Sequence, residues 1–131
     1  MDRRFETQGD FSWTELMTTN VPAAKAFYGA VLGWKLKDED MPSGPYTAIE
    51  AGGEQVGGMM RMPVAVPQGT APHWAAYVTV EDVDAVAKRV QQNGGIVLVP
   101  PTDIPSIGRV CRFRDPQGAV LNAITYTSPS E

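Results

Sequence analysis

The chain has 131 residues, 43% of them hydrophobic and 20% charged, the make-up of one globular domain long enough to bury a core without staples. Eleven Lys and Arg against fifteen Asp and Glu give a net charge of 11 − 15 = −4, so no basic stripe is available for nucleic acid. A single cysteine, Cys111, and a single histidine, His73, exclude an internal disulfide framework and a Cys/His structural zinc site, which needs about four such ligands.

The N-terminal run MDRRFETQGD has no apolar stretch behind its arginines. It does not read as a signal peptide, and no apolar run approaches the ~20 residues that cross a bilayer, so a cytoplasmic protein without a membrane partner is expected. Phe11–Thr18 (FSWTELMT) alternates and predicts a strand. Asn20 is a good N-cap, Pro22 suits a first helical turn, and Val21, Ala24, Tyr28, Val31 and Leu32 recur at helical spacing up to Gly33. Three short strands should follow, at Trp34–Lys37, Tyr46–Glu50 and Gln55–Met62, the last after the turn Ala51–Gly52–Gly53. Pro63–Pro72 (PVAVPQGTAP) holds three prolines and no charge and reads as a connector. The pattern then begins again. His73–Val80 (HWAAYVTV) predicts a strand, Asp82 an N-cap, and Val83, Val86, Ala87 and Val90 a helix that stops at Gly94–Gly95. Strands are expected at Ile96–Pro100, Arg109–Arg114 and Ala119–Thr125, with the turn Asp115–Pro116–Gln117–Gly118 before the last.

The halves align without a gap at an offset of 82 − 20 = 62: Asn20 falls on Asp82, Val21 on Val83, Ala23 on Ala85, Tyr28 on Val90 and Gly33 on Gly95. The expected fold is therefore α+β, two βαβββ modules at about residues 10–62 and 72–127 within a single domain, 1–131. Strand parity sends Leu16, Val78 and Val80 toward the helices. It sends Trp13, Glu15 and Met17, with His73, Ala75, Tyr77 and Thr79, to the other face. A glutamate, a histidine, a tryptophan and a tyrosine on one sheet face suggest a cup rather than a second packed core.

The run Asn20–Trp34, with its Phe–Tyr–x–x–Val–Leu–Gly–Trp, resembles the opening of the vicinal-oxygen-chelate superfamily, which holds glyoxalase I, bleomycin and fosfomycin resistance proteins and extradiol dioxygenases. Asn93–Gly94–Gly95 and Asp115–Pro116–Gln117–Gly118 are further marks of it, and the resemblance covers roughly residues 11–127. It implies a glyoxalase/bleomycin resistance-like fold with an open, rolled mixed sheet, and a homodimer. It also implies one divalent metal in the cup, held by first-strand and last-strand residues. Carried onto this sequence, those positions are Trp13, Gly57, Ala75 and Asn122. Of these only Asn can donate to a metal, and alone it is a poor ligand. The resemblance thus points to the metal-free members, with no cofactor, of which bleomycin-binding resistance proteins are the best-known type. The superfamily fold hosts several chemistries, so it does not choose among them.

The expected pocket comprises Trp13, Glu15, Gly57, Met59, Ala75, Tyr77, Asn122 and Ile124, apolar with a few converging polar groups. Glu15, His73 and Tyr77 are the candidate catalytic residues. Glu15 is either the cup's charged contact or a carboxylate paired with an arginine such as Arg112 or Arg114. His73 is a proton-transfer group at the rim or simply the first residue of a strand. Tyr77 either donates to a ligand or covers core. Trp13 offers an aromatic wall suited to a planar or cationic guest, whereas Trp34 and Trp74 read as packing. Met17, Met59, Met60 and Met62 form either a soft lining or core filling. Cys111 reads as an inert buried thiol. Gly52–Gly53 and Gly57–Gly58 do not make a phosphate loop, because no strand leads through them into a helix. The expectation is a protein that binds a small molecule. An enzyme with an atypical or metal-independent site and a non-catalytic sensing domain are the alternatives.

Overall fold

A computed structural model describes residues 3–42, 44–63 and 69–127. Residues 64–68, the middle of the expected connector, lie outside the described residues. The order of elements is β1 (Phe11–Thr18), α1 (Val21–Leu32), β2 (Lys35–Met41), β3 (Gly44–Ala51), β4 (Glu54–Arg61), β5 (His73–Thr79), α2 (Val83–Gln92), β6 (Ile96–Ile104), β7 (Gly108–Arg114) and β8 (Val120–Tyr126). This is βαβββ twice, as the repeat predicts. Packing divides the chain into Thr14–Ala75 and a second unit of Met1–Trp13 with Ala76–Glu131.

In the first unit the strands lie in the order β2-β3-β4-β1, with β1 parallel to β4 and the other pairs antiparallel. The Asn20 side chain accepts the Ala23 N–H at 3.0 Å and so caps α1, and Gly33 ends the helix in a left-handed conformation (φ 70°) that favours glycine. Gly52 and Gly53, both at positive φ, join β3 to β4 by a two-residue turn. The core between sheet and helix is Leu16, Ile49 and Met59, with Ala24, Tyr28, Trp34, Leu36 and Val56 packed against it. The edge strand β2 (KLKDEDM) runs four residues past its expected end at Lys37, and its charges blunt an edge that would otherwise invite pairing.

The second unit repeats the plan in the order β5-β8-β7-β6, with β5 parallel to β8. The Asp82 side chain caps α2 by accepting the Ala85 N–H at 3.1 Å. One Asp115 side-chain oxygen accepts the N–H groups of Gln117 and Ala119 at 2.9 and 3.0 Å, which explains why the turn before β8 begins with aspartate. The core is Val80, Val83, Ala87, Cys111 and Ala123, flanked by Val78, Val86, Val97 and Phe113. Leu16, Val78 and Val80 thus face the helices as parity predicts. β6 continues to Ile104 through Pro100–Pro101, which an edge strand with two register shifts accommodates. The N-terminal segment joins this unit: Thr79 donates its N–H to Asp10 and its hydroxyl to Arg4, and accepts from Gly9. Nothing in the sequence reading anticipated this lacing.

Cys111 is fully buried, and burial pushes its thiol pKa upward. The neutral thiol is therefore favoured by the fold. That stability is fully present below the ordinary thiol pKa of about 9 and is lost as the pH rises above it. Native protein at pH 8 should resist a disulfide-exchange reagent, react stoichiometrically once unfolded in urea, and show a falling denaturation midpoint above about pH 9. Rapid native labelling would contradict this.

Candidate functional site

Glu15 is a carboxylate only 7% exposed, in the middle of β1 and on the side of its sheet opposite Leu16. In register beside it on β4 lies Gly58, and beside Gly58 on β3 lies Ala48, two residues along from Tyr46 on the same face. The Tyr46 phenol reaches across β4 and donates to the Glu15 carboxylate at 2.7 Å. It can do so because Gly58 has no side chain: a methyl group there would overlap the Tyr46 ring and hydroxyl. Glu15, Tyr46 and Gly58 are thus one assembly drawn from three adjacent strands. Tyr46 was not anticipated. The available signal was the glycine pair inside a strand, which marks close approach by another group.

Two expected pocket residues belong elsewhere. Met59 is 0% exposed and lies in the helix-side core with Leu16 and Ile49, and Gly57 shares that side, where an added methyl would strike the Thr14 carbonyl. The cause is a bulge. Ile49 pairs with Gly57, but Glu50 pairs with Gln55, so Val56 is an extra residue in β4. Counting forward from the turn at Gly53 therefore lands one residue short, and one residue in a strand is a change of face. Gly58, not Gly57, corresponds to Asn122: Glu15 pairs with Gly58 as Tyr77 pairs with Asn122.

In the second unit Tyr77, Asn122 and Ile124 are buried and share one face of β5 and β8. Asn122, an expected pocket residue, also makes hydrogen bonds of its own within the sheet. Its Oδ1 accepts from Arg112 Nε at 3.0 Å and its Nδ2 donates to the Ala76 carbonyl at 3.2 Å, so the amide ties β7, β8 and β5 together. Trp13 is half-buried with its ring 6.4 Å from Phe5, which in turn lies 4.7 Å from Tyr126. The neighbour of the expected aromatic wall thus comes from the N-terminal segment. Ala75 is buried. His73 begins β5, and its Nδ1 donates to the Ala71 carbonyl at 2.8 Å, the geometry of a strand-start residue.

The sequence matches the family profile of the glyoxalase/bleomycin resistance protein/dioxygenase superfamily over residues 10–122. The chain belongs to that superfamily. It is 40% identical over 124 residues to CFP32 of Mycobacterium tuberculosis and Mycobacterium bovis, whose name assigns it provisionally as a glyoxylase; the match covers 92% of this chain and 48% of that protein. It is 31% identical over 122 residues to the anthracycline biosynthesis protein DnrV of Streptomyces peucetius, covering 84% of this chain and 44% of DnrV. The chain thus spans about half the length of the curated relatives it matches. The structure of BH1468 from Bacillus halodurans superimposes with a TM-score of 0.67 over 95% of this chain and 99% of that one, at 17% identity. That of methylmalonyl-CoA epimerase from Mycobacterium tuberculosis does so with 0.64 over 92% and 89%, at 14% identity. These two likenesses concern the fold.

The superfamily's divalent metal would need donors where this chain has Trp13, Gly58, Ala75 and Asn122. Two of these side chains carry no heteroatom beyond the backbone, the indole N–H only donates, and the Asn122 amide is engaged. Among the described residues no three His, Cys, Asp or Glu side chains gather where they could hold a metal ion. The donor set does not fit the group. No helix among the described residues is long and apolar enough to cross a membrane.

Proposed function

We propose that this chain is a small-molecule-binding member of the superfamily that works without a resident metal, with the Glu15 carboxylate as the charged contact of its ligand. One observation carries this reading: of the four metal-donor positions only Asn122 offers a donor atom, while Glu15 is set in place by Tyr46 across the Gly58 gap. A nearly buried carboxylate oriented by a phenol suits an ammonium, an amidinium or another strong hydrogen-bond donor, because charge-assisted hydrogen bonds strengthen away from water. Thermal-shift screening with planar and cationic small molecules tests this. Ligands so found should bind Glu15→Gln roughly 10–150-fold more weakly, the equivalent of ~1.5–3 kcal/mol for a hydrogen bond to a charged group. Equal affinity would place the ligand elsewhere. About one metal ion per chain surviving dialysis would overturn the metal-free part.

The 2.7 Å phenol–carboxylate contact also favours a second reading, in which Glu15 takes a proton from a bound substrate and Tyr46 steadies the charge. The name of CFP32 leans the same way. Incorporation of solvent deuterium next to the carbonyl of a bound thioester or ketone, lost in Glu15→Gln, would select this reading over simple binding.

A further inference from the structure

We propose that the face of the second unit turned away from α2 holds an organic anion, a carboxylate or a phosphate monoester on an apolar body, at Arg112 and Arg114 of β7. Alternation along the strand sets this face. Cys111 and Phe113 pack toward α2, so Arg112 and Arg114 stand on the opposite side, and both are half-buried. Arg109 shares the α2 side, where it meets both oxygens of Asp84 at 3.0 and 3.1 Å and Asp103 at 3.0 Å. The strands offer no acid to the other face. β5, β7 and β8 contain neither Asp nor Glu, and the one acid of β6, Asp103, is the partner of Arg109. In the first unit β1, β3 and β4 each hold a glutamate, Glu15, Glu50 and Glu54. The duplicated units have thus diverged in the sign of the charge their strands carry.

Arg112 is built into its place. Its Nε donates to Asn122 Oδ1 at 3.0 Å, and Asn122, only 2% exposed, is itself anchored through Nδ2 on the Ala76 carbonyl at 3.2 Å. A guanidinium fixed at Nε keeps its terminal nitrogens in a set plane, the fork that matches a carboxylate or a phosphate. Arg114 follows two residues along the same face, about 7 Å on by the rise of a strand, so that one anionic group comes within reach of both side chains.

The flanks give the rest of the ligand. Arg114 is in register with Ile96 on β6 and with Val120 on β8, which are 50% and 51% exposed. The register shift between Val97 and Val99 leaves Leu98 exposed on β6 as well. Apolar side chains on either side of a cation do little for a bare, strongly hydrated ion. They suit an anion carried on hydrocarbon or on a ring, whose burial adds to the charged contact. Two guanidinium groups in a chain of net charge −4 are too few to follow a nucleic-acid backbone. Glu15 belongs to the first unit, so this site and the carboxylate contact proposed above stand or fall separately.

Isothermal titration at low salt with naphthoate, naphthyl phosphate, inorganic phosphate and the neutral naphthalenemethanol tests this. At least one naphthyl anion should bind, and the tighter of the two identifies the headgroup. Inorganic phosphate and the alcohol should each bind roughly 10-fold more weakly or worse, since each lacks half of the recognised chemistry. Arg114→Gln and, separately, Arg112→Lys should each weaken the naphthyl anion by roughly 10-fold or more, the second because an ammonium keeps the charge but loses the fork. Arg89→Gln removes the same charge from the exposed side of α2 and should leave the affinity unchanged. In nitrogen-detected NMR the anion should move the Nε–H signals of Arg112 and Arg114. Should Arg112→Lys fail to fold by circular dichroism, Arg114→Gln decides. No binding of either naphthyl anion up to about 10 mM would overturn the proposal. So would equal binding of the alcohol or of inorganic phosphate, or an affinity that Arg114→Gln leaves unchanged.

Discussion

Met59→Ala is expected to cost about 2–5 kcal/mol, the range for removing a long buried side chain from a packed core. Met59 is 0% exposed and meets Leu16 and Ile49 on the α1 side of its sheet. For a domain of this size that loss lowers the thermal midpoint by roughly 6–20 °C. The neighbouring Met60 lies on the opposite face and is only partly buried, so Met60→Ala should cost clearly less. The comparison separates core from pocket. A residue lining a ligand site would lose binding with little loss of stability. Equal, small effects at 59 and 60 would contradict the bulge-shifted register.

The second large effect lies at the Tyr46–Gly58–Glu15 assembly. Tyr46→Phe removes one donor from a nearly buried carboxylate, and hydrogen bonds to charged groups are worth about 1.5–3 kcal/mol. Gly58→Ala alters neither partner of that bond, yet its methyl occupies the place of the phenol, so the ring must swing away and the same bond is lost. Denaturant unfolding should therefore give each single variant a similar loss, and the double variant little more than either. Neighbours that act through one shared interaction are not additive, and the shortfall measures it. Losses that simply add would show that Gly58 serves some purpose other than clearing a path for Tyr46. Because Tyr46 orients Glu15, both variants should also weaken ligands that depend on Glu15, by less than Glu15→Gln does.

The βαβββ repeat, both helix caps, the left-handed Gly33 and the Asp115 turn were legible in the sequence, because each depends on residues within a few positions along the chain. Strand parity was legible for the same reason, and it placed Leu16, Val78 and Val80 toward the helices and Glu15 away from them. Carried through β4, parity failed at one point. Val56 is accommodated by a bulge that only the pairing with β3 reveals, and this moved Gly57 and Met59 to the helix side and brought Gly58 beside Glu15.

Contacts between distant segments were decided by tertiary structure alone. Tyr46 meets Glu15 from 31 residues away, and the N-terminal segment laces onto Thr79 and sets Phe5 beside Trp13. Nothing in a local pattern fixes which side chain crosses a glycine or which carbonyl accepts a buried amide. Those outcomes depend on strand order, register and the space left by neighbours. The sequence alone determined the architecture of each module. Only the packed strands decided that Asn122 is a structural tie and that the carboxylate at Glu15 is held by a tyrosine.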